Sequence, residues 1–163
     1  MEQLSLFPDM VKPKVGIIGM NDFGIDLMTK FKDAGYEVLG LGDDTTILER
    51  IAKECDFVFL NVSSQTTLDV LCSFMDDIYD IQAENKLPNK IFLVKAPVFV
   101  GVYKMLSIVY EPNTILLYDD EFSKTGTLAT SDVDSFAIVQ KHLNKALNID
   151  TNYVDYTKFE TAE

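Results

Sequence analysis

Cysteine and histidine are scarce in this chain. It has two cysteines, Cys55 and Cys72, which fall in a predicted strand and a predicted helix and do not have the spacing of a metal site. We expect both to be buried free thiols. The single histidine, His142, falls in the last predicted helix, where we expect a surface residue rather than a catalytic base. The sequence therefore predicts no metal cofactor.

Positive charge and long hydrophobic runs are also scarce. The chain has 14 lysines and arginines against 26 aspartates and glutamates, which gives a formal net charge of −12. A phosphate backbone would repel such a chain, and no basic patch offsets this, so we expect no direct nucleic-acid binding. No apolar run has the length of a membrane span, and no basic region followed by a long apolar core opens the chain. We expect a soluble cytoplasmic protein without membrane contact.

The chain has enough apolar residues to form the core of one folded domain. The chain has 163 residues, of which 47% are hydrophobic, and it contains neither internal repeats nor low-complexity segments. We expect a flexible N-terminal arm over residues 1–13, a single domain over residues 14–156 and a frayed tail over residues 157–163.

The stretch Lys14–Phe31 organises the rest of the chain. A short apolar run, Val15–Ile18, predicts a buried strand, and a glycine-containing turn then leads into an amphipathic helix. Gly19 and Gly24 hold the first and third positions of a G-x-G-x-x-G pattern, and Asn21 holds the second. Because asparagine tolerates left-handed backbone geometry, we expect the turn to survive. Because a side chain at the second position obstructs a pyrophosphate, we expect the ligand site to be impaired.

Strand-like and helix-like stretches alternate after this turn. The expected strands are Tyr36–Leu41, Asp56–Val62, Lys90–Lys95, Asn113–Leu117 and a possible sixth at Tyr153–Tyr156. The expected helices are Ile47–Lys53, Leu68–Ala83, Val102–Tyr110 and Asp132–Leu147, and Tyr118–Ser131 is expected to be irregular. This order predicts an α/β fold with a doubly wound, mostly parallel sheet of five to six strands and helices on both faces.

A ligand crevice is expected at the carboxyl ends of these strands, where the loops after the first, third and fourth strands converge. A dinucleotide site needs an acidic residue at the end of the second strand, but Gly42 stands there. Asp43, one residue later, could serve instead, although this acidic stretch is equally suited to capping the next helix. The cofactor-binding candidates are Gly19, Asn21, Asp22, Phe23, Gly24, Asp43, Ser63 and Ser64. We expect NAD binding to be weak or absent.

The order of these segments resembles the N-terminal, Rossmann-type NAD-binding domain of the UDP-glucose/GDP-mannose dehydrogenase family. The resemblance covers about Lys14 to Val139. The family's turn after the third strand corresponds to Asn61-Val62-Ser63-Ser64-Gln65. Its Lys-Ser-Thr-Val-Pro-Val-Gly-Thr segment corresponds to residues 95–102, and its Pro-Glu-Phe-Leu-Arg-Glu-Gly segment to residues 120–126.

The resemblance implies NAD as cofactor and a nucleotide sugar as substrate, but the chain departs from the family where the chemistry should occur. Pro97 replaces a threonine that positions reacting oxygens, and Thr125 replaces a glutamate that acts as an acid or base. A threonine hydroxyl cannot take up a proton near neutral pH as a carboxylate can. Lys95 and Glu121 are the catalytic candidates that remain. We expect a chain that is not a dehydrogenase on its own.

The pentapeptide Gln3-Leu4-Ser5-Leu6-Phe7 resembles the linear motif through which bacterial replication and repair proteins dock on the DNA sliding clamp. In that interpretation the arm becomes ordered on the partner, and the apolar side chains enter pockets. The alternative is a latch in which Leu4, Leu6 and Phe7 pack on the chain's own domain.

Two functions from different classes remain open. The first is a binding module with a sliding clamp as its possible partner, and such a compact, acidic protein would suit a phage or a mobile element. The second is a subunit of an NAD-dependent UDP-sugar oxidoreductase that a separate chain completes. A homo-oligomer is compatible with both.

Overall fold

The computed structural model describes residues 12–42, 46–61, 68–95, 102–118 and 122–158. The strands are β1 (Val15–Ile18), β2 (Val38–Leu41), β3 (Phe57–Leu60), β4 (Ile91–Lys95), β5 (Thr114–Tyr118), β6 (Thr127–Thr130) and β7 (Asn152–Asp155). The helices are α1 (Asp22–Asp33), α2 (Thr46–Glu54), α3 (Leu68–Glu84), α4 (Val102–Val109), α5 (Phe122–Thr125) and α6 (Val133–Leu147), followed by a 3₁₀ helix at Tyr156–Lys158.

The strands form one mixed sheet in the order β2-β1-β3-β4-β5-β6-β7. Strands β1 to β5 are parallel, with Ile18 opposite both Leu41 and Leu60. Strand β6 runs antiparallel to β5, and β7 runs parallel to β6. The expected α/β class and the doubly wound, mostly parallel sheet are confirmed, and the sheet has one strand more than the upper expectation.

Helices cover both faces of the sheet. One core cluster joins α2, α3 and α4 to the sheet, and a second joins α1, α5 and α6 to its other face. Strand β3 shows why the strands are almost wholly apolar: Phe57 and Phe59 lie in the second cluster, whereas Val58 and Leu60 lie in the first. A strand that is buried on both faces has no position left for an exposed polar side chain.

The sequence predicted an irregular segment over Tyr118–Ser131. This prediction is wrong, because the segment contains α5 and β6. Strand β6 is only four residues long and includes two threonines, so it has no readable alternation. Tertiary contacts stabilise it, because it pairs with both β5 and β7, and the buried Thr130 hydroxyl donates to the Ile115 carbonyl at 3.0 Å. The bounds of the other expected strands and helices lie within two residues of those observed.

His142 is buried, which corrects the expectation of a surface residue. It is 5% exposed, and its Nδ1 lies 2.8 Å from the Tyr36 hydroxyl. Its ring also packs edge-on against Phe57, with the centroids 5.8 Å apart. Burial lowers the pKa of His142, and nearby lysines lower it further. The histidine therefore joins α6 to the residues between α1 and β2.

Candidate functional site

The turn between β1 and α1 depends on two glycines that let main-chain segments approach closely. Gly19 has a φ of 100°, in the left-handed region that favours glycine, and a Cβ there would collide with the main-chain carbonyl of Asn61. A Cβ on Gly24, in the first turn of α1, would collide with the carbonyl of Gly19. The first and third positions of the glycine pattern therefore have the packing roles they have in dinucleotide-binding turns.

Asn21, at the second glycine position, is the N-cap of α1. Its backbone is extended, with φ −81° and ψ −171°, so tolerance of left-handed geometry is not the reason that the turn survives; the left-handed residue is Gly19. Its side-chain oxygen accepts the N–H of Gly24 at 3.0 Å. This N–H is one of the free donors that a helix N-terminus normally offers to a phosphate, and here a side chain satisfies it.

Asn61 fixes the Asn21 side chain in this position. It directly follows β3, is 2% exposed, and its Nδ2 donates to the side-chain oxygen of Asn21 and, at 3.2 Å, to the carbonyl of Gly19. Its own side-chain oxygen accepts the Tyr118 hydroxyl at 3.4 Å. Because buried amide groups need partners, this arrangement holds the turn in one conformation. The sequence signal for Asn61 was a lone polar residue at the end of the apolar run DFVFL.

Aromatic rings pack beside the turn. Phe23, the second residue of α1, lies with its ring centroid 5.7 Å from that of Tyr118 at the end of β5. Tyr118 in turn contacts Phe59 at 6.3 Å and Phe122 at 5.7 Å. The Phe23 ring therefore serves to pack α1 against the sheet.

Two features beside the first turn, one charge and one missing side chain, do not suit a dinucleotide. Asp22 places an exposed carboxylate in the first turn of α1, which complements the helix dipole but repels a phosphate. Gly42, just after β2, is exposed, and a Cβ added there would meet nothing within 4 Å. The position that holds the ribose-binding acid in dinucleotide sites is thus without a side chain, although there is room for one.

The structure brings five of the candidate residues together in the first turn: Gly19, Asn21, Asp22, Phe23 and Gly24. Lys95 is the last residue of β4, in register with Tyr118, and so lies at the same edge of the sheet. The other candidates lie outside the described residues, namely Asp43, Ser63, Ser64, Glu121, Gln3, Leu4, Ser5, Leu6 and Phe7.

Burial makes one of the two cysteines, Cys55, a poor candidate for a reactive thiol. Burial raises the pKa of the Cys55 thiol to about 12, so it stays protonated near neutral pH and is a poor nucleophile. Both cysteines are free thiols, as expected, but only Cys55 is fully buried, since Cys72 is half-buried. The described ranges contain no group of histidine, cysteine, aspartate and glutamate side chains that could hold a metal ion. Across the same ranges, no helix has the length and apolar character to cross a membrane.

Solved structures with the same architecture include reductases and a dehydrogenase. The pyrroline carboxylate reductase of Plasmodium falciparum, with NADP bound, superposes with a TM-score of 0.63 at 14% identity, over 90% of this chain and 59% of that one. The 3-hydroxyisobutyrate dehydrogenase of Mycobacterium tuberculosis, with L-serine, gives 0.62 at 14% identity, over 88% and 54%. A diketoreductase gives 0.68 at 12% identity, over 91% and 66%. The fold is of the Rossmann type.

These similarities extend to the fold alone. No protein-family model matches the sequence, and no curated protein matches it. The chain spans 54% to 66% of the length of the three structures named above. The Rossmann-type architecture is thus shared, whereas the chemistry of the first turn must be judged from this chain's own residues.

Proposed function

We propose that this chain is a divergent Rossmann-type domain that acts as a binding module and not, by itself, as a dehydrogenase. We further propose that it docks on a bacterial DNA sliding clamp through Gln3–Phe7. The single observation that carries the first part is the hydrogen-bonded Asn21 side chain at the N-terminus of α1. It supplies, from within the chain, the acceptor that a pyrophosphate would otherwise bring.

The docking part is supported by the sequence of the arm. Gln3-Leu4-Ser5-Leu6-Phe7 matches all five positions of the clamp-binding motif. The net charge of −12 would keep the domain away from DNA while the arm contacts the clamp protein. The domain would then occupy the clamp or present another protein to it.

The docking test measures binding of a labelled Met1–Pro13 peptide, and of the whole chain, to a purified bacterial sliding clamp. We expect micromolar or tighter binding, lost when Leu6→Ala and Phe7→Ala are combined, because these two side chains fill the apolar pockets. The matched control is Glu2→Ala with Asp9→Ala, which flanks the motif and should retain binding. Equal binding by both double variants, or none by the unchanged chain, would reject the docking proposal.

The second candidate is an NAD-dependent oxidoreductase subunit of the UDP-glucose/GDP-mannose dehydrogenase type, completed by a separate chain. The observation that favours it is the close packing at Gly19 and Gly24, which retains the geometry of a dinucleotide-binding turn. Steady turnover of NAD with a nucleotide sugar, by the chain or by a complex that contains it, would establish this function in place of the first.

A further inference from the structure

An apolar groove lies between α1, α5 and the residues that end α6. Its apolar lining consists of Phe23, Leu27, Phe122, Leu147 and Ile149. Phe23 and Ile149 are only half-buried, so their apolar surface remains open to a further side chain. One rim is polar, where Lys30 and Asp26 form an ion pair at 3.2 Å. The groove is thus a small apolar surface with charged, hydrogen-bonding groups beside it.

The N-terminal arm joins the domain on the same face of the sheet. Lys12 is the first described residue, and its ammonium group donates to the Ala34 carbonyl at 2.7 Å. The same group lies 5.0 Å from the centroid of the Tyr36 ring. These contacts anchor the base of the arm at the C-terminal end of α1, the helix that lines the groove from Phe23 to Lys30.

The arm is long enough to follow α1 along the groove. Helix α1 has 12 residues, which at 1.5 Å per residue span about 18 Å. The five residues from Lys12 back to Phe7 span up to about 18 Å when extended. An arm that runs along α1 from its anchor is therefore long enough to bring Leu6 and Phe7 to the groove, whose α1 side extends from Lys30 to Phe23.

We propose that this groove holds Leu6 and Phe7 when no partner is bound, so that the domain competes with the sliding clamp for its own docking motif. The regulatory part rests on the proposed docking function, because the same two side chains would fill the clamp's pockets. Binding in a groove lined by phenylalanine and branched aliphatic side chains removes the apolar surface of Leu6 and Phe7 from water, which is favourable. The free arm would then be a minority state, and the clamp would bind only that state.

The absence of tryptophan from the chain allows a clean test. Phe7→Trp introduces a single reporter, whose fluorescence emission shifts to shorter wavelength when the ring leaves water. We expect the full-length variant to emit at shorter wavelength than a Met1–Pro13 peptide with the same substitution. Ile149→Glu, in the groove, should return the emission to that of the peptide. Ile108→Glu, on α4 at a position that is 73% exposed and on the other face of the sheet, is the matched control and should not.

Two outcomes overturn the groove proposal: a full-length emission equal to that of the peptide, or equal shifts with Ile149→Glu and Ile108→Glu. If Ile149→Glu lowers the melting temperature, Ser123→Arg repeats the test from an exposed position on the groove.

Clamp affinity, measured with Phe7 intact, separates the groove proposal from the docking proposal. If nine arms in ten are held, Ile149→Glu should tighten clamp binding about tenfold. A shielded tryptophan without any clamp binding would support the groove contact and reject both the docking function and its regulation.

Discussion

Two side-chain amides make the hydrogen bonds that hold the first turn of this fold. Asn21 satisfies a helix N–H that dinucleotide-binding turns leave to a phosphate, and the buried Asn61 holds it there. Both groups are neutral amides, and the hydrogen bonds of the turn are formed with the side chains as they stand. The turn therefore keeps the shape of a nucleotide site while its hydrogen bonds are already made within the chain.

The amide of Asn61 can be tested for this role through stability. Asn61→Leu keeps a similar volume but removes this partner from the half-buried Gly19 carbonyl and from the buried Tyr118 hydroxyl. We expect the free energy of unfolding to fall by about 1–3 kcal/mol, measured by urea titration. Asn85→Leu is the control, because Asn85 makes its side-chain hydrogen bond, to the Ile81 carbonyl, from an exposed position. Equal losses in the two variants would contradict the proposed role of Asn61.

Single residues were predictable where local geometry decides their role. The close packing at Gly19 and Gly24 follows from the glycine pattern, whereas the N-cap role of Asn21 was not predicted. Asn61 stands out in the sequence as a polar residue after an apolar run, but its hydrogen bonds were not predictable, because its partners lie 40 and more residues away and meet it only once β3 pairs with β1. The burial of His142 was missed for the same reason, since its partner Tyr36 lies on a distant part of the chain.

Among the helices and strands, those that are long or clearly periodic in sequence were predicted correctly, and the short strand β6 was missed. Helix α6 was predictable, because its apolar positions recur at helical spacing after Asp132, whose side chain accepts the N–H of Ser135 at 3.1 Å. Strand β6 was not, because four residues of mixed character contain no periodic signal. Pairing with β5 on one side and β7 on the other stabilises this strand, and such pairing is a tertiary effect that local propensity does not report.

The contact between α6 and the residues before β2 should depend on pH through His142. The polar and charged groups around its ring are the Tyr36 hydroxyl and the ammonium groups of Lys12, Lys141 and Lys145. Because the pKa of His142 is lowered in the folded state, the unfolded state takes up its proton first as pH falls. Its contribution to stability is therefore full above the ordinary histidine pKa of about 6.5 and is lost as pH falls through the lower, folded value.

His142→Gln tests this dependence, because glutamine can accept the Tyr36 hydrogen bond but does not titrate. Urea midpoints measured between about pH 7.5 and 5.5 should fall more steeply for the unchanged chain than for the variant. Lys53→Gln, which alters an exposed ion pair on α2, serves as a control for general charge effects. Parallel pH profiles for the unchanged chain and His142→Gln would show that His142 does not titrate on unfolding.

For the whole molecule, the fold and the site differ in how far the sequence predicts them. The alternation of apolar runs and amphipathic helices is repeated along the chain, so the doubly wound sheet follows from many concordant signals. A dinucleotide site depends on the residue type at each of a few positions, so a single change there affects the whole prediction. Gly42 is exposed with open space beside it, so nothing in the packing prevents an acid there. The fold therefore leaves room at Gly42 for an acid that the sequence does not place there.

The central claim is that the first turn is closed to a dinucleotide by its own side chain, and calorimetric titration with NAD and NADP tests it most directly. We expect no measurable heat of binding from the unchanged chain. We expect a gain of binding when Asn21→Gly, which is itself an acceptable N-cap, is combined with Gly42→Asp. Micromolar NAD or NADP binding by the unchanged chain would contradict the claim and would favour a working dehydrogenase domain.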